Sequence, residues 1–229
     1  MARSVATAAR MARGVSMMMQ LDGNRFRRAR MHMFLNLVRK VPVSQDRPVR
    51  VLDLGGTKSY WDALSDLWRG ENFDITIVNL GGETRDDGMF HLRPGNACNL
   101  AEYDNDSFDI VHSNSVIEHV GHWPEMKAMA DEVRRLAPHY YLQTPNFWFP
   151  VEPHFRTLFW PLYPESWRAA MLMKKRRGYR GPVATLDEAM ENVQTVNLLT
   201  ADQLKALFPD AQICREKAFG FTKSIIALR

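Results

Sequence analysis

The chain has 229 residues, of which 45% are hydrophobic and 24% are charged, and this balance suits one α/β domain with a large apolar core. No run of about 18 apolar residues occurs, so a membrane-spanning helix is not expected. Cys98 and Cys214 are far apart and in unlike contexts, which argues against a disulfide framework and favours a reducing, cytoplasmic location.

The formal net charge of +4 conceals two basic segments. Residues 1–40 contain nine Lys or Arg and a single acid, and residues 168–182 contain six Lys or Arg and no acid. The rest of the chain is therefore acidic. Two basic surfaces on an acidic body predict contact with an anionic partner such as a phosphate, a lipid headgroup or a nucleic acid. Two solvated helix faces are the alternative interpretation.

The N-terminal run MARSVATAARMARGVSMMMQ predicts a basic amphipathic helix, because it lacks the apolar centre and the cleavage site of an export signal. An organellar transit sequence is the alternative. The next run, RMHMFLNLV, has apolar residues at helical spacing, and two prolines in KVPVSQDRPVR end that helix. We therefore assign residues 1–47 to a basic N-terminal helical segment and residues 48–229 to a single domain.

Strand-like and helix-like runs alternate after residue 48. The strand-like runs are VRVLDL, FDITIVNL, SFDIVHSN, HYYLQT, AQICRE and TKSIIALR, and the helix-like runs are SYWDALSDLW, PEMKAMADEVRRLA and TADQLKALF. Pro124 and a capping box of Thr200 with Gln203 mark the starts of the last two helices. This alternation predicts a mostly parallel sheet with helices on both faces. The link REKAFGF is too short for a helical crossover, so the last two strands should pair antiparallel.

Residues 145–199 interrupt the alternation with a segment rich in prolines and aromatic residues. It is too long to be a plain connection. We expect it to form a lid or substrate subdomain over the carboxyl edge of the sheet, where open α/β sheets bind their ligands.

The stretch VRVLDLGGTKSYWDAL predicts a strand, a tight glycine turn and a helix start, which is the local geometry of a nucleotide site. The spacing fits neither the G-x-G-x-x-G dinucleotide pattern nor a P-loop. An acid before the turn, Asp53, followed by Gly55 and Gly56, with Thr57 and Ser59 at later small positions, instead resembles the class I S-adenosylmethionine-dependent methyltransferases. A glycine turn lets backbone approach the methionine part of that cofactor, and the carboxylate can bind its ammonium directly or through water.

Three further stretches follow in the order that this resemblance implies. FDITIVNL ends in Asn79 and Leu80, where the family usually has an acid for the ribose hydroxyls. GNACNL places Asn96 and Ala97 beside the adenine. DNDSFDIVHSNSVIEHV resembles the family's fourth-strand segment and puts Asn114 and Ser115 next to the cofactor.

The resemblance implies a Rossmann-like sheet of seven strands, mostly parallel with the last antiparallel, and a lid inserted after the family's fifth strand. It implies S-adenosyl-L-methionine as the cofactor and methyl transfer to oxygen or nitrogen of a small-molecule, sugar or lipid-linked acceptor. Two alternatives stay open. The neutral side chains of Asn79 and Asn96 suit a non-catalytic cofactor-binding or regulatory protein, and the basic segments suit an RNA methyltransferase.

Methyl transfer requires mainly alignment in a dry pocket, with a base only for a hydroxyl or protonated amine acceptor. His119, in SNSVIEHVGHW, and His154, in VEPHFR, are our candidates for the catalytic residues. A packed or structurally bonded histidine is the alternative for each. The pair of His119 and His122 lacks a clear third ligand, so no metal is expected.

The aromatic residues of the lid are most simply its own core. Together with MLMKKRRGYR they also resemble an interfacial surface, apolar on one side and cationic on the other, which favours peripheral contact with a membrane. Nucleic acid is the competing anion, but no recognised RNA-binding motif is present. SNSV also stands where base-modifying enzymes have an N-P-P-Y or D-P-P-Y loop, so nucleic acid is disfavoured.

Overall fold

A computed structural model describes residues 23–44 and 46–229 of the chain. The predicted amphipathic helix within residues 1–20 lies outside the described residues. The strands of the main sheet are β1 (Val49–Leu54), β2 (Phe73–Asn79), β3 (Arg85–Asp87), β4 (Phe90–Pro94), β5 (Ile110–Asn114), β6 (His139–Pro145), β9 (Gln212–Ala218) and β10 (Phe221–Leu228), and a small hairpin contains β7 (Val151–Glu152) and β8 (Thr157–Leu158). The helices are α1 (Gly23–Val38), α2 (Lys58–Asp62), α3 (Ser65–Trp68), α4 (Trp123–Leu136), α5 (Glu165–Lys174), α6 (Leu186–Gln194) and α7 (Ala201–Leu207).

The main sheet has eight strands in the order β3-β4-β2-β1-β5-β6-β10-β9. The central strands pair parallel, and β10 lies antiparallel between β6 and β9. This confirms the mostly parallel, Rossmann-like sheet with its last strand inserted antiparallel. The predicted number of seven strands is wrong, because β3 adds an antiparallel edge strand to β4. The three residues of β3 are Arg-Asp-Asp, so the sequence has no apolar alternation there from which this strand could be predicted.

Helices cover both faces of the sheet, as predicted. On one face, α4 and α7 pack on β1, β5 and β6, through residues such as Met129, Val133 and Leu204. On the other face, α1 contributes the fully buried Met31 and Phe34, and α2 contributes Trp61. The helix predicted from RMHMFLNLV is thus α1, and it forms part of the layer that covers the sheet. None of the helices in the described ranges is long and apolar enough to cross a membrane.

Both predicted helix starts are confirmed. Pro124 lies in the first turn of α4, where its missing N–H has no intrahelical partner to lose. At α7, the Thr200 Oγ1 accepts from the backbone N–H of Gln203 at 3.2 Å, and the Gln203 Oε1 accepts from the backbone N–H of Thr200 at 2.9 Å. This reciprocal capping satisfies two donors that a helix start otherwise leaves unpaired.

The segment 145–199 contains the β7–β8 hairpin, α5 and α6, and it has an apolar cluster of its own. Phe155 and Trp160 stack in that cluster with ring centroids 4.4 Å apart. Trp148 and Trp167, by contrast, are more than half exposed, at 62% and 64%. Only part of the aromatic content of this segment is therefore core, and the rest faces outward.

Candidate active site

The turn after β1 is built so that neither of its glycines can be replaced without a collision. Gly55 has φ +70°, and a Cβ added there would lie 2.5 Å from the Val116 Cγ2. A Cβ at Gly56 would lie 1.8 Å from the Asp53 Oδ2. Thr57 then caps α2, because its Oγ1 accepts from the backbone N–H of Tyr60. The predicted strand, glycine turn and helix start are confirmed.

Asp53, the acid before the turn, is fully buried. The Asp53 Oδ1 lies 2.7 Å from the His112 Nδ1, and the Asp53 Oδ2 accepts from the Trp61 Nε1 at 2.7 Å. Both carboxylate oxygens therefore have partners inside the protein, and Asp53 fixes the turn against the aromatic cluster beneath it. Its role in binding an ammonium group stays a prediction.

A cavity of about 820 Å³ lies at the carboxyl ends of β1 and β5. Residues from the glycine turn and from the lid line this same cavity. Six of the predicted site residues line it, namely Asp53, Gly55, Gly56, Thr57, Asn114 and the lid residue His154. It also contains Arg27 of α1, Tyr60 of α2, and Arg156 and Tyr179 of the lid. The lid segment thus closes over the edge of the sheet at which the glycine turn lies.

Asn114 occupies the end of β5 between a buried cation and a phenol. The Asn114 Nδ2 donates to the Tyr60 hydroxyl at 3.2 Å, and the Asn114 Oδ1 accepts from the Arg30 Nη1 at 3.2 Å. Arg30 is itself held by two hydrogen bonds to the Glu216 carboxylate, at 2.9 and 2.6 Å. Burial, followed by the charge of Asp53, raises the pKa of Tyr60 to about 12, so the phenol keeps its proton at neutral pH.

The other predicted cofactor residues lie beside the cavity and not in its lining. The Asn79 Nδ2 donates to the backbone oxygen of Gly56 at 2.7 Å. The backbone oxygen of Asn79 accepts from Gly95 at 3.1 Å, which brings the loop with Asn96 and Ala97 to the end of β2. Asn96 uses its Oδ1 to accept from the backbone of Cys98 at 3.0 Å.

Two further predicted cofactor residues, Leu80 and Ser115, also lie outside the cavity lining. Leu80 is 84% exposed. Ser115 has a left-handed backbone, with φ +60°, and its hydroxyl donates to the Gln143 Oε1 at 3.0 Å. This bond turns the Ser115 side chain toward β6.

The two catalytic candidates, 35 positions apart in the sequence, meet in space. His119 lies on a short 3₁₀ turn after β5, and His154 lies in the β7–β8 loop of the lid. Their Nε2 atoms are 3.1 Å apart. The His119 Nδ1 lies 2.9 Å from the backbone oxygen of Thr195, and the His154 Nδ1 lies 2.5 Å from the Glu152 Oε1.

These contacts fix the tautomers of the pair. A carbonyl and a carboxylate only accept, so both Nδ1 atoms carry protons, and the two Nε2 atoms can hold one further proton between them. Burial lowers the pKa of His119. Burial also opposes the charge of His154, but the hydrogen bond and charge of Glu152 raise the pKa of His154 overall. A proton taken up by the pair is therefore held more strongly by His154 than by His119.

Glu118 lies behind the histidine pair and is fully buried. Its Oε2 accepts from the Thr144 Oγ1 at 2.9 Å, whereas its Oε1 has no hydrogen-bond partner among the described residues. Burial raises the pKa of Glu118 to about 7. One donor atom from each of Glu118, His119 and His154 lies within 4.8 Å of the others. His122 is exposed at the start of α4 and is not part of this group.

Sequence reasoning missed Tyr60 and Tyr179 as lining residues, whereas Arg156 lies in the VEPHFR run of the lid that was singled out together with His154. The Arg156 Nη2 donates to the Tyr179 hydroxyl at 2.6 Å, and the guanidinium lies 4.5 Å from the centre of that ring. Tyr60 was open to prediction, since it stands three residues after the cap of α2. Tyr179 was not, because it reaches the cavity only through the fold of the lid.

The topology and the glycine turn define the class I methyltransferase fold. Among solved structures, the DszA carbon methyltransferase aligns with 90% of this chain and 54% of its own, with 10% sequence identity and a TM-score of 0.52. The phosphoethanolamine N-methyltransferase 2 of Haemonchus contortus, in complex with S-adenosyl-L-methionine, aligns with 80% of this chain and 38% of its own, with 13% identity and a TM-score of 0.48. The CurJ carbon methyltransferase aligns with 82% of this chain and 50% of its own, with 10% identity and a TM-score of 0.48.

The chain spans about half the length of the DszA and CurJ structures that it matches. The likeness to the DszA structure, at 10% identity and a TM-score of 0.52, shows a common fold and nothing finer. No protein-family model matches the chain, and no curated protein matches it either.

Proposed function

We propose that the protein is a methyltransferase that uses S-adenosyl-L-methionine to methylate oxygen or nitrogen on a small-molecule, sugar or lipid-linked acceptor. One observation carries the proposal. The glycine turn and the polar lid residues His154 and Arg156 line the same cavity of about 820 Å³. A cofactor on the turn and an acceptor beneath the lid would therefore share one enclosed space.

The residues around the turn fit the cofactor. Gly55 and Gly56 line the cavity and carry no side chain, so the backbone there is open to a ligand. The turn with Asn114 would hold the methionine part, Asn79 the ribose, and Asn96 with Ala97 the adenine. When bound, S-adenosylmethionine supplies a methyl group on a positively charged sulfur, which makes the leaving group an activated one.

The histidine pair supplies a proton acceptor at the lid side of the cavity. The two Nε2 atoms lie 3.1 Å apart, so the neutral pair can take up one proton and hold it between them. An acceptor hydroxyl or ammonium would give that proton to an Nε2 as its oxygen or nitrogen becomes the nucleophile. Glu152, which is bonded to the Nδ1 of His154, orients the ring and offsets the charge that the pair gains.

The outer surface of the lid favours an acceptor at a membrane. Trp148 and Trp167 are largely exposed, and the basic run 174–177 begins at the last residue of α5. Exposed tryptophans beside cations suit the headgroup region of an anionic bilayer. Flotation with vesicles that contain an anionic lipid, compared with gel shifts on RNA across a salt series, distinguishes a lipid-linked acceptor from the RNA alternative.

Calorimetric titration with S-adenosylhomocysteine tests the cofactor assignment. We expect one site per chain, with no binding of a dinucleotide or a nucleoside triphosphate under the same conditions. Absence of heat with S-adenosylhomocysteine, or tighter binding of either control, would remove the proposal.

A non-catalytic cofactor-binding protein is the second candidate, and the hydrogen bonds of the two asparagines favour it. The Asn79 amide nitrogen already donates to the backbone oxygen of Gly56, and the Asn96 amide oxygen already accepts from the backbone N–H of Cys98. Neither side chain carries the negative charge that would strengthen a bond to ribose. Transfer of a labelled methyl group to a panel of hydroxyl and amine acceptors decides between the two. Tight binding of the cofactor without any transfer would select the regulatory protein.

A further inference from the structure

The two histidines of the site are oriented as metal-binding histidines are. Each ring has its Nδ1 against an acceptor, which is the Thr195 carbonyl for His119 and the Glu152 carboxylate for His154. Metal-binding histidines almost always donate their second ring N–H in this way, which fixes the tautomer and points the other nitrogen at the ion. The two Nε2 atoms converge at a separation of 3.1 Å.

The Glu118 carboxylate provides a third possible metal ligand, and one of its two oxygens has no partner among the described residues. Its side chain is fully buried and its Oε1 lacks a hydrogen-bond partner. A buried carboxylate oxygen without a partner costs about 1–3 kcal/mol or more. A proton held between the two histidines forms no bond to the Glu118 Oε1, so the cost of that unpartnered oxygen stays. A cation bound between the three side chains would remove this cost.

We propose that Glu118, His119 and His154 form a binding site for a divalent transition-metal ion of the zinc type. Four ligands at about 2.1 Å in a tetrahedron are separated by about 3.4 Å, and the histidine nitrogens already lie near that separation. The donor atoms of the three side chains lie within 4.8 Å of one another, so a movement of up to about 1.4 Å by Glu118 completes the set.

Three protein ligands leave one coordination position open. Since His154 lines the cavity, that position faces the space assigned to the acceptor. A hydroxyl bound there would lose its proton more readily, because a zinc-type ion lowers the pKa of a bound water or hydroxyl. The two Nε2 atoms would then be ligands and not proton acceptors, so the proton would pass to water in the cavity. This catalytic consequence rests on the proposed function and narrows the acceptor to a hydroxyl compound, whereas the metal site itself does not depend on it.

Metal content and metal affinity test the site without any assay of activity. The untagged protein, purified without chelators, is analysed by elemental mass spectrometry, then stripped with a chelator and titrated with Zn²⁺ and Co²⁺. We expect one ion per chain, a Co²⁺ absorption spectrum typical of nitrogen and oxygen ligands, and at least a tenfold loss of Zn²⁺ affinity in His119→Ala, His154→Ala and Glu118→Gln. His122→Ala is the matched control and should bind as the unmodified protein does.

Equal Zn²⁺ affinity in the three variants and the control, or no binding by the unmodified protein, would overturn the proposal. Circular dichroism identifies any variant that fails to fold. X-ray absorption on the unmodified Zn²⁺ form then serves as the second test, since a site with fewer than two imidazole ligands contradicts it.

Titration with S-adenosylhomocysteine separates this inference from the proposed function. Binding of S-adenosylhomocysteine by a protein that takes up no Zn²⁺ removes the metal site and leaves the methyltransferase proposal intact. One Zn²⁺ per chain without binding of S-adenosylhomocysteine does the reverse.

Discussion

Replacement of Gly56 by alanine tests whether the glycine turn is locked by the buried carboxylate beneath it. The added methyl group would lie 1.8 Å from the Asp53 Oδ2. Asp53 has no room to yield, because its two oxygens are bonded to His112 and Trp61 at 2.7 Å each. The turn must therefore distort, or the carboxylate must leave its partners.

Both outcomes carry a large cost for this substitution. Overpacking a tight site costs about 1–3 kcal/mol, and separating a buried charged group from its partner costs about 3–5 kcal/mol. We expect Gly56→Ala to lower the free energy of unfolding by about 3 kcal/mol. In a chain of this length, that corresponds to a fall of about 6–12 °C in the melting temperature. S-adenosylhomocysteine should bind at least tenfold more weakly.

Gly70→Ala is the matched control, because no atom lies within 4 Å of the position of its Cβ and its backbone is not left-handed. The free energy of unfolding of that variant should equal that of the unmodified protein or exceed it by up to about 1 kcal/mol. Urea denaturation with coincident fluorescence and circular dichroism signals gives both free energies. Equal midpoints for the two variants would refute the argument that Asp53 is held in place.

Two further predictions concern acid stability and turnover. Although burial opposes the charge, hydrogen bonds from Arg47 and from the backbone of Arg50 lower the pKa of Asp109 to about 2. Its stabilising contribution is therefore complete above about pH 4 and is lost as the pH falls toward 2. Asp109→Asn should lower the free energy of unfolding at pH 7 by about 1–2 kcal/mol, a value discounted because the arginines are partly exposed. Urea denaturation at pH 7 and pH 2 measures this change, and an equal loss of free energy at both pH values would contradict the prediction. His119→Ala and His154→Ala should each lower turnover at least tenfold in a labelled methyl-transfer assay, and unchanged rates in both variants would exclude the pair from proton transfer.

The glycine turn was predictable because its information is local. Asp53 lies near the end of a clear apolar strand, and Gly55 and Gly56 form the expected turn between that strand and the start of α2. The partner of Asp53 was not predictable, since His112 is 59 residues away and joins it only through the pairing of β1 with β5. A histidine inside the apolar run SFDIVHSN was the available signal, because a buried polar side chain needs a partner.

The helices of the lid were missed because prolines and aromatic residues obscure the helical period in residues 145–199. One local signal was present. Thr185 and Glu188 form a capping box at the start of α6, with the Thr185 Oγ1 accepting from Glu188 and the Glu188 carboxylate accepting from Thr185. The pattern T-x-x-E predicts such a start, so α6 was open to prediction, whereas the approach of His154 to His119 depends on the whole lid.

The lid supplies the contacts that orient His119 and His154, so its position decides the geometry of the histidine pair. Thr195 and Glu152 hold the two Nδ1 atoms, and the backbone N–H of Asn197 donates to the backbone oxygen of Glu118 at 2.8 Å. A displacement of the lid by about 1 Å would stretch the bonds from Thr195 to His119 and from Asn197 to Glu118 beyond hydrogen-bonding distance, whereas His154 would move together with Glu152. The His119 ring would then be free to rotate, and the two Nε2 atoms would no longer converge. The lid therefore does more than enclose an acceptor, because it also sets the geometry of the groups that would receive the acceptor's proton.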